Sequence, residues 1–229
     1  MLSRDAEHLY WLTRYVERLE NTARMINVHS ELMLDFPGDK SLGWKPIIKT
    51  MDSEKLFQNK YSEYSEISAV KFLGDDKENE NSIISSLEMA RYNARAIKDD
   101  LPRSATEQLN NLFNEFSGGM SSSSSRRKRA SYIYSVISGT QRFFGIISDN
   151  FSRGYAFEFM RLGRFVERID MNSRIIDSLC INKSNEQTHD FHTLEWVSML
   201  RTLSAHESFR KEIRGEIEID ENNNIYVGS

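Results

Sequence analysis

The chain has 229 residues, enough for one domain with a real core, and its abundant charge with only three prolines favours helices over an all-β fold. A net charge of -4 argues against bulk nucleic-acid binding, and a single cysteine, Cys180, excludes an intrachain disulfide. No apolar run approaches the roughly 20 residues of a membrane span, and the opening MLSRDAEHLYW lacks the apolar core of a signal peptide, so a soluble cytoplasmic protein is expected.

The first predicted helix is long. Ser3 is placed to cap it, with Asp5 and Glu7 in the first turn, where the helix dipole favours acidic groups. Leu9, Leu12, Val16, Leu19, Ala23 and Ile26 recur at alternating spacings of three and four, the apolar stripe of a bundle helix. Arg14, Glu17, Arg18 and Asn21 stand opposite that stripe, with Arg24 nearby, and Glu17 is close enough in sequence to pair with Arg14. Asp35-Phe36-Pro37-Gly38 ends the helix.

Residues 39–72 are less regular. Trp44, Ile47, Ile48 and Met51 predict one short helix, and Leu56, Phe57 and Tyr61 another. Residues 75–81, DDKENEN, read as an acidic loop, with Ser82 as a cap. Ile83, Leu87, Ala90, Ala94, Ile97 and Leu101 then form a second clear stripe, closed by Pro102, with Arg91, Asn93 and Arg95 standing off it. A helix from about Ser104 to Phe116 follows. Gly118-Gly119 and the serines from Ser121 to Ser125 predict a flexible linker at about 117–126. The basic run Arg126, Arg127, Lys128 and Arg129 reads first as a solvated helix start and second as an anion site. An aromatic and β-branched helix spans Tyr132 to Ile147.

After the turn at 150–155 the first helix recurs. Phe159 to Ile176 repeats Leu9 to Ile26 at a constant offset, and four of the seven identities are charged: Arg14/Arg164, Glu17/Glu167, Arg18/Arg168 and Arg24/Arg174. The second stripe is Phe159, Leu162, Val166, Ile169, Ser173 and Ile176. Cys180 lies on this apolar pattern and reads as an inert buried thiol. A polar loop at 182–188 leads to a last helix from about Phe191 to Arg214, with Leu194, Val197, Leu200, Leu203 and Ala205 facing inward. The tail at about 215–229 alternates isoleucine with acidic residues, has no evident partner strand, and reads as an extended or disordered end.

Packing alone has no reason to keep two arginines and a glutamate at the same spacing in both copies. If the copies pack as pseudo-symmetric partners, Glu17 meets Arg164 or Arg168, and Glu167 meets Arg14 or Arg18. Arginines outnumber carboxylates, and Arg91 and Arg95 can join from the middle helix. That excess suits a carboxylate or phosphate ligand held by Arg14, Arg18, Arg24, Arg91, Arg95, Arg164, Arg168 and Arg174. Internal pairing without a ligand is the equal alternative. Metal chemistry is weaker: Glu186 and His189 give one E-x-x-H where di-metal carboxylate proteins need two, and His189, His192 and Glu195 share only spacing. No metal and no cofactor is expected, and no hydrolase, nucleotide-binding or thiol motif is present.

The opening MLSRDAEHLYWLTRYVERLENTARMI resembles the N-terminal signature of the bacterial alpha-E domain family, also catalogued as DUF403. The likeness continues in SIISSLEMARYNARAIKDDL, SRGYAFEFMRLGRFVERIDMNSRIID and WVSMLRTLSAHESFRKEIR, and so covers most of the chain. The resemblance implies an all-α helical bundle in a single domain over 1–229, in a bacterial cytoplasm. It places Glu17 and Glu167 at the glutamates of the family motif. Members usually run longer beyond the position of Arg214, which makes this chain look like a short member. The family's association with circularly permuted ATP-grasp and transglutaminase-like proteins implies an accessory role in peptide synthesis or ligation. The partner would be an ATP-grasp-type ligase or its peptide product. Two alternatives stay open: an enzyme using Glu17 or Glu167 as general base, or a purely structural bundle that forms a homo-oligomer.

Overall fold

The computed structural model describes residues 2–35, 43–116, 125–181, 189–212, 216–219 and 225–228. Ten helices follow one another among these residues: α1 (Ser3–Asp35), α2 (Lys45–Thr50), α3 (Glu54–Lys60), α4 (Glu66–Gly74), α5 (Ile83–Ala96), α6 (Arg103–Phe116), α7 (Arg126–Asn150), α8 (Tyr155–Ile181), α9 (His189–Thr202) and α10 (His206–Glu212). Two short strands close the series, β1 (Glu216–Ile219) and β2 (Ile225–Gly228). The protein is an all-α helical bundle with this hairpin appended. No described helix is long and apolar enough to cross a membrane.

α1 is the central element. It packs against α8, α5 and α7, and α9 lies along it as well. Its stripe is wholly buried: Leu9, Leu12, Val16, Leu19 and Ala23 have no exposed surface. Burying such side chains contributes about 1.5–3 kcal/mol each, which is what holds so long a helix in the bundle. One continuous apolar core joins it to Ile83, Leu87, Ala90 and Ala94 of α5, Leu109 and Leu112 of α6, and Ile133 and Phe143 of α7.

Local chemistry sets the helix ends. Ser82 caps α5 as expected, accepting from the Ser85 N–H at 3.2 Å. Ser65 and Ser68 form a reciprocal capping box on α4, a helix that the irregular pattern of 39–72 concealed. Ser3 is not the cap of α1. It is already helical, and the Asp5 carboxylate reaches back to accept from the Leu2 N–H at 2.9 Å. α5 stops at Ala96, short of Pro102, although Ile97 and Leu101 stay buried in the turn that follows. The predicted last helix is two, α9 and α10, broken where Ser204 takes a positive φ of 58°. Its buried line is Glu195 and Met199 rather than Leu194 and Val197.

The basic start of α7 is the solvated helix start expected of it, with residues 126–128 exposed, and Arg126 and Arg129 both bind the Glu66 carboxylate of α4. One further expectation changes. The C-terminal stretch is not partnerless, because β1 pairs antiparallel with β2, Glu216 opposite Gly228. Most of the expected linker, 117–124, and the loop at 182–188 lie outside the described residues, as does the Cys180 side chain.

Candidate functional site

The two copies of the repeat meet. Thr13 contacts Met160, Glu17 contacts Arg164 and Arg168, and Met25 and Ile175 line one cleft, so residue numbers rise together along the interface. α1 and α8 therefore run parallel. The helices come closest at Gly163, where an added Cβ would stand 2.2 Å from the Tyr10 carbonyl oxygen. Only glycine fits such an approach.

Close approach brings the charged residues into a reciprocal lattice. Arg14 and Arg18 lie one turn apart on α1 and straddle Glu167: Arg14 Nε donates to Oε2 and Arg18 Nε to Oε1, each at 2.6 Å. Arg18 Nη2 adds a bond to Oε2 at 3.1 Å. The other half repeats the pattern with roles exchanged, Arg168 Nε donating to Glu17 Oε1 at 2.6 Å and Arg164 Nε to Oε2 at 3.1 Å. Both glutamates are 1 % exposed. A buried carboxylate is tolerable only when its lone pairs are met by charged donors, and these are.

Aromatic rings support the guanidinium groups. Arg14 lies over Tyr10 and Trp11, Arg18 over Tyr15, and Arg164 over Phe144 at 3.7 Å from the ring centre. Burial by itself would lower the Arg14 pKa, but the hydrogen bonds and charges of Glu167 and Tyr10 together outweigh it and raise it. Four arginines against two glutamates leave the lattice positive. The α8 arginines reach solvent more than those of α1.

The remaining predicted site residues do not join. Arg24 pairs within α1 to Glu20, and Arg174 within α8 to Asp170 at 3.2 Å. Arg91 stays on α5, donating to Asn110 Oδ1 at 2.9 Å and lying over Phe113. Burial and the nearby Arg95 both lower its pKa. Arg95 is exposed. The expected pairing of Glu17 with Arg14 is replaced by pairing across the helices. Among the described residues no group of His, Cys, Asp and Glu is arranged to hold a metal ion.

Sequence reasoning missed Thr13 and Gly163, the residues that set the crossing. It also put the wrong face of α8 inward. The buried line is Met160, Gly163, Glu167, Met171 and Ile175. The predicted stripe faces out: Leu162 is 50 % exposed and Ile169 68 %, while their equivalents Leu12 and Leu19 are at 0 %. Phe159, Phe165 and Ile176 are exposed beside them. The glutamate-arginine pair that recurs in each copy is thus a clamp between two helices, and the same helix carries an uncovered apolar face on its other side.

A family model described as a predicted alpha-helical domain with a conserved ER motif matches residues 1–223. No curated protein matches the chain, and no solved structure matches it.

Proposed function

The chain belongs to the Alpha-E family, and from that premise we propose that it is a non-catalytic accessory protein whose α8 face docks an amphipathic helix of a partner. The supporting observation is the unequal fate of two equivalent stripes. On α1 the pattern Leu9, Leu12, Leu19, Ile26 is buried in the core shared with α5, α6 and α7. On α8 the matching Phe159, Leu162, Ile169, Ile176 is exposed. The fold itself displays the kind of helix that packs on α1: α5, whose buried face is Ile83, Leu87, Ala90 and Ala94.

Charged residues flank the stripe, and three of them are paired within the chain: Arg161 with Glu158, Arg168 with Glu17 and Asp170 with Arg174, which leaves the apolar face as the surface offered to a partner. Covering five half-exposed apolar side chains contributes roughly 1 kcal/mol each before the cost of association. The non-catalytic reading is supported by the two arginines that each of Glu17 and Glu167 accepts from and by the 1 % exposure of both, which holds them as ion-pair partners rather than free bases.

The partner class drawn from the family likeness is an ATP-grasp-type ligase of a peptide-synthesis system, working in a bacterial cytoplasm. The test is co-expression with the ligase encoded nearest to it, followed by size-exclusion chromatography with light scattering. A 1:1 complex that is lost in a Leu162→Glu, Ile169→Glu double variant of unchanged melting temperature is the expected result. A ligase that elutes alone, or a complex indifferent to the double variant, overturns the reading. A homodimer that the double variant splits gives the face to self-association instead.

A further inference from the structure

The lattice sets four arginines against two glutamates, and one of the four, Arg164, lines a cavity of about 150 Å³ between α1, α7 and α8. The floor of this cavity is buried and apolar: Phe144, Ile147 and Met160 are at most 8 % exposed. Thr13, the polar side chain of the floor, directs its hydroxyl proton at helix carbonyls, the nearest that of Met160 at 2.8 Å, so it is not a free donor. Phe157 and Phe165 add two more rings, with Phe165 exposed at the rim.

The rim is basic. Arg164 donates from Nε to Glu17 at 3.1 Å, and Arg161 from Nη1 to Glu158 at 3.0 Å. A guanidinium has five N–H groups, so each pair leaves most of them able to donate elsewhere. The Arg161–Glu158 pair is exposed on both sides and weak. Arg164 is held in place by the Phe144 ring, 3.7 Å from its centre. Arg153 brings a third positive charge beside the rim, donating to the Ser148 carbonyl at 2.8 Å and lying over Phe157. Ser148 lines the cavity and is exposed. Three guanidinium groups against the two carboxylates they hold, Glu17 and Glu158, leave a positive rim over an apolar floor.

We propose that this cavity binds a small aromatic carboxylate, the ring on Phe144, Ile147 and Met160 and the carboxylate at Arg164 and Arg161. The volume equals the roughly 150 Å³ of an apolar cavity that takes up benzene, which suits one six-membered ring. A carboxylate offers only acceptors, the complement of the rim, and the planar guanidinium fork binds it bidentately. An ammonium is repelled by the same rim, and an anion without an apolar part leaves the floor uncovered. Two sources have this chemistry, a free arylalkanoate and the C-terminal aromatic residue of a peptide. Leu162 and Ile169 do not line the cavity, so the site is separate from the docking stripe and does not depend on it.

The experiment is a ligand-observed NMR titration of the full chain at pH 7 with hydrocinnamate, hydrocinnamamide, propionate, phenethylamine and N-acetyl-glycyl-glycyl-phenylalanine. Binding by hydrocinnamate or the peptide acid, at least tenfold tighter than by the amide, propionate or the amine, is the expected result. Tighter binding by the peptide assigns the site to a chain terminus, and tighter binding by hydrocinnamate assigns it to a free acid. Arg161→Gln and Phe165→Ala remove exposed side chains, leave the circular dichroism spectrum unchanged, and are each expected to weaken binding at least threefold. The amide, propionate or the amine binding as tightly as the acid, an affinity that either variant leaves unmoved, or no binding of either acid at ten times the roughly millimolar Kd of so small a ligand overturns the proposal.

Discussion

Thr13 and Gly163 occupy equivalent positions of the internal repeat and meet where α1 crosses α8. The Thr13 hydroxyl donates to the Met160 carbonyl at 2.8 Å, and a Cβ on Gly163 would stand 2.5 Å from Thr13 Oγ1. One copy contributes the hydrogen bond and the other the space for it. Both are needed before four arginines and two glutamates can interlock.

Gly163→Ala therefore forces the helices apart. The obstruction includes the Tyr10 backbone carbonyl, which cannot turn aside as a flexible side chain would. Overpacking of this kind costs about 1–3 kcal/mol, and the upper end is expected, read as a lower urea midpoint at unchanged m-value. An unchanged midpoint would mean the crossing is not as tight as drawn.

The lattice predicts unequal costs for its acidic and basic members. Glu167→Ala strips the shared acceptor from two arginines and is expected to cost about 2–4 kcal/mol. Arg168→Ala leaves Glu17 still held by Arg164, and is expected to cost about 1 kcal/mol. Denaturant melts of the two single variants decide it. Equal costs would show that each ion pair acts alone.

Equivalent positions of the repeat are expected to respond oppositely. Leu19→Ala empties a fully buried site on α1 and should cost about 2–5 kcal/mol. Ile169→Ala, at the matching place on α8, should change stability by less than about 0.5 kcal/mol. A large loss at Ile169 in the isolated protein would mean that this face is already covered.

A cleft among α1, α2, α8 and α9, lined by His29 and Glu195, makes stability depend on pH through two opposed groups. Burial raises the Glu195 carboxyl from its ordinary 4.5 to about 7, so the folded state holds a proton that the unfolded state has released. Stability from this group is lost as pH rises from about 4.5 to 7. Burial lowers His29 from 6.5 to about 4, so its contribution is complete above 6.5 and lost as pH falls toward 4. The charges of the adjoining cavity are Lys49 from α2, Arg174 and Asp177 from α8, and Asp52 beyond α2, and their signs balance. Glu195→Gln is expected to be more stable than the wild type at pH 8 by about 1–2 kcal/mol, a figure reduced for solvent screening at the rim, and equal to it at pH 4.5. Chemical denaturation at the two pH values measures this, and an equal difference at both would remove the titration from Glu195.

Much of the lattice was legible in advance. The repeat is visible by alignment of the chain with itself, and the pairing of each glutamate with arginines of the other copy follows once the copies are set side by side. Arg91 and Arg95 were misjudged because standing off a stripe does not say which neighbour a side chain meets; Arg91 found Asn110 and Phe113 instead. Glu195 carried no periodic signal. It became a lining residue because α9 turns its Glu195 and Met199 line inward, one position from the apolar residues that predicted its buried face.

By itself the sequence determined the long helices α1, α5, α7 and α8, the repeat and the charge arithmetic of the clamp, because those depend on spacings of three and four within one helix. Which apolar stripe would be buried was decided only in three dimensions. Both copies direct the same face at each other, so their stripes point to opposite sides of the helix pair. The α1 stripe is buried in the core, and among the described residues the α8 stripe is exposed. Burial depends on which element lands on a face, and the pattern of that face is the same either way.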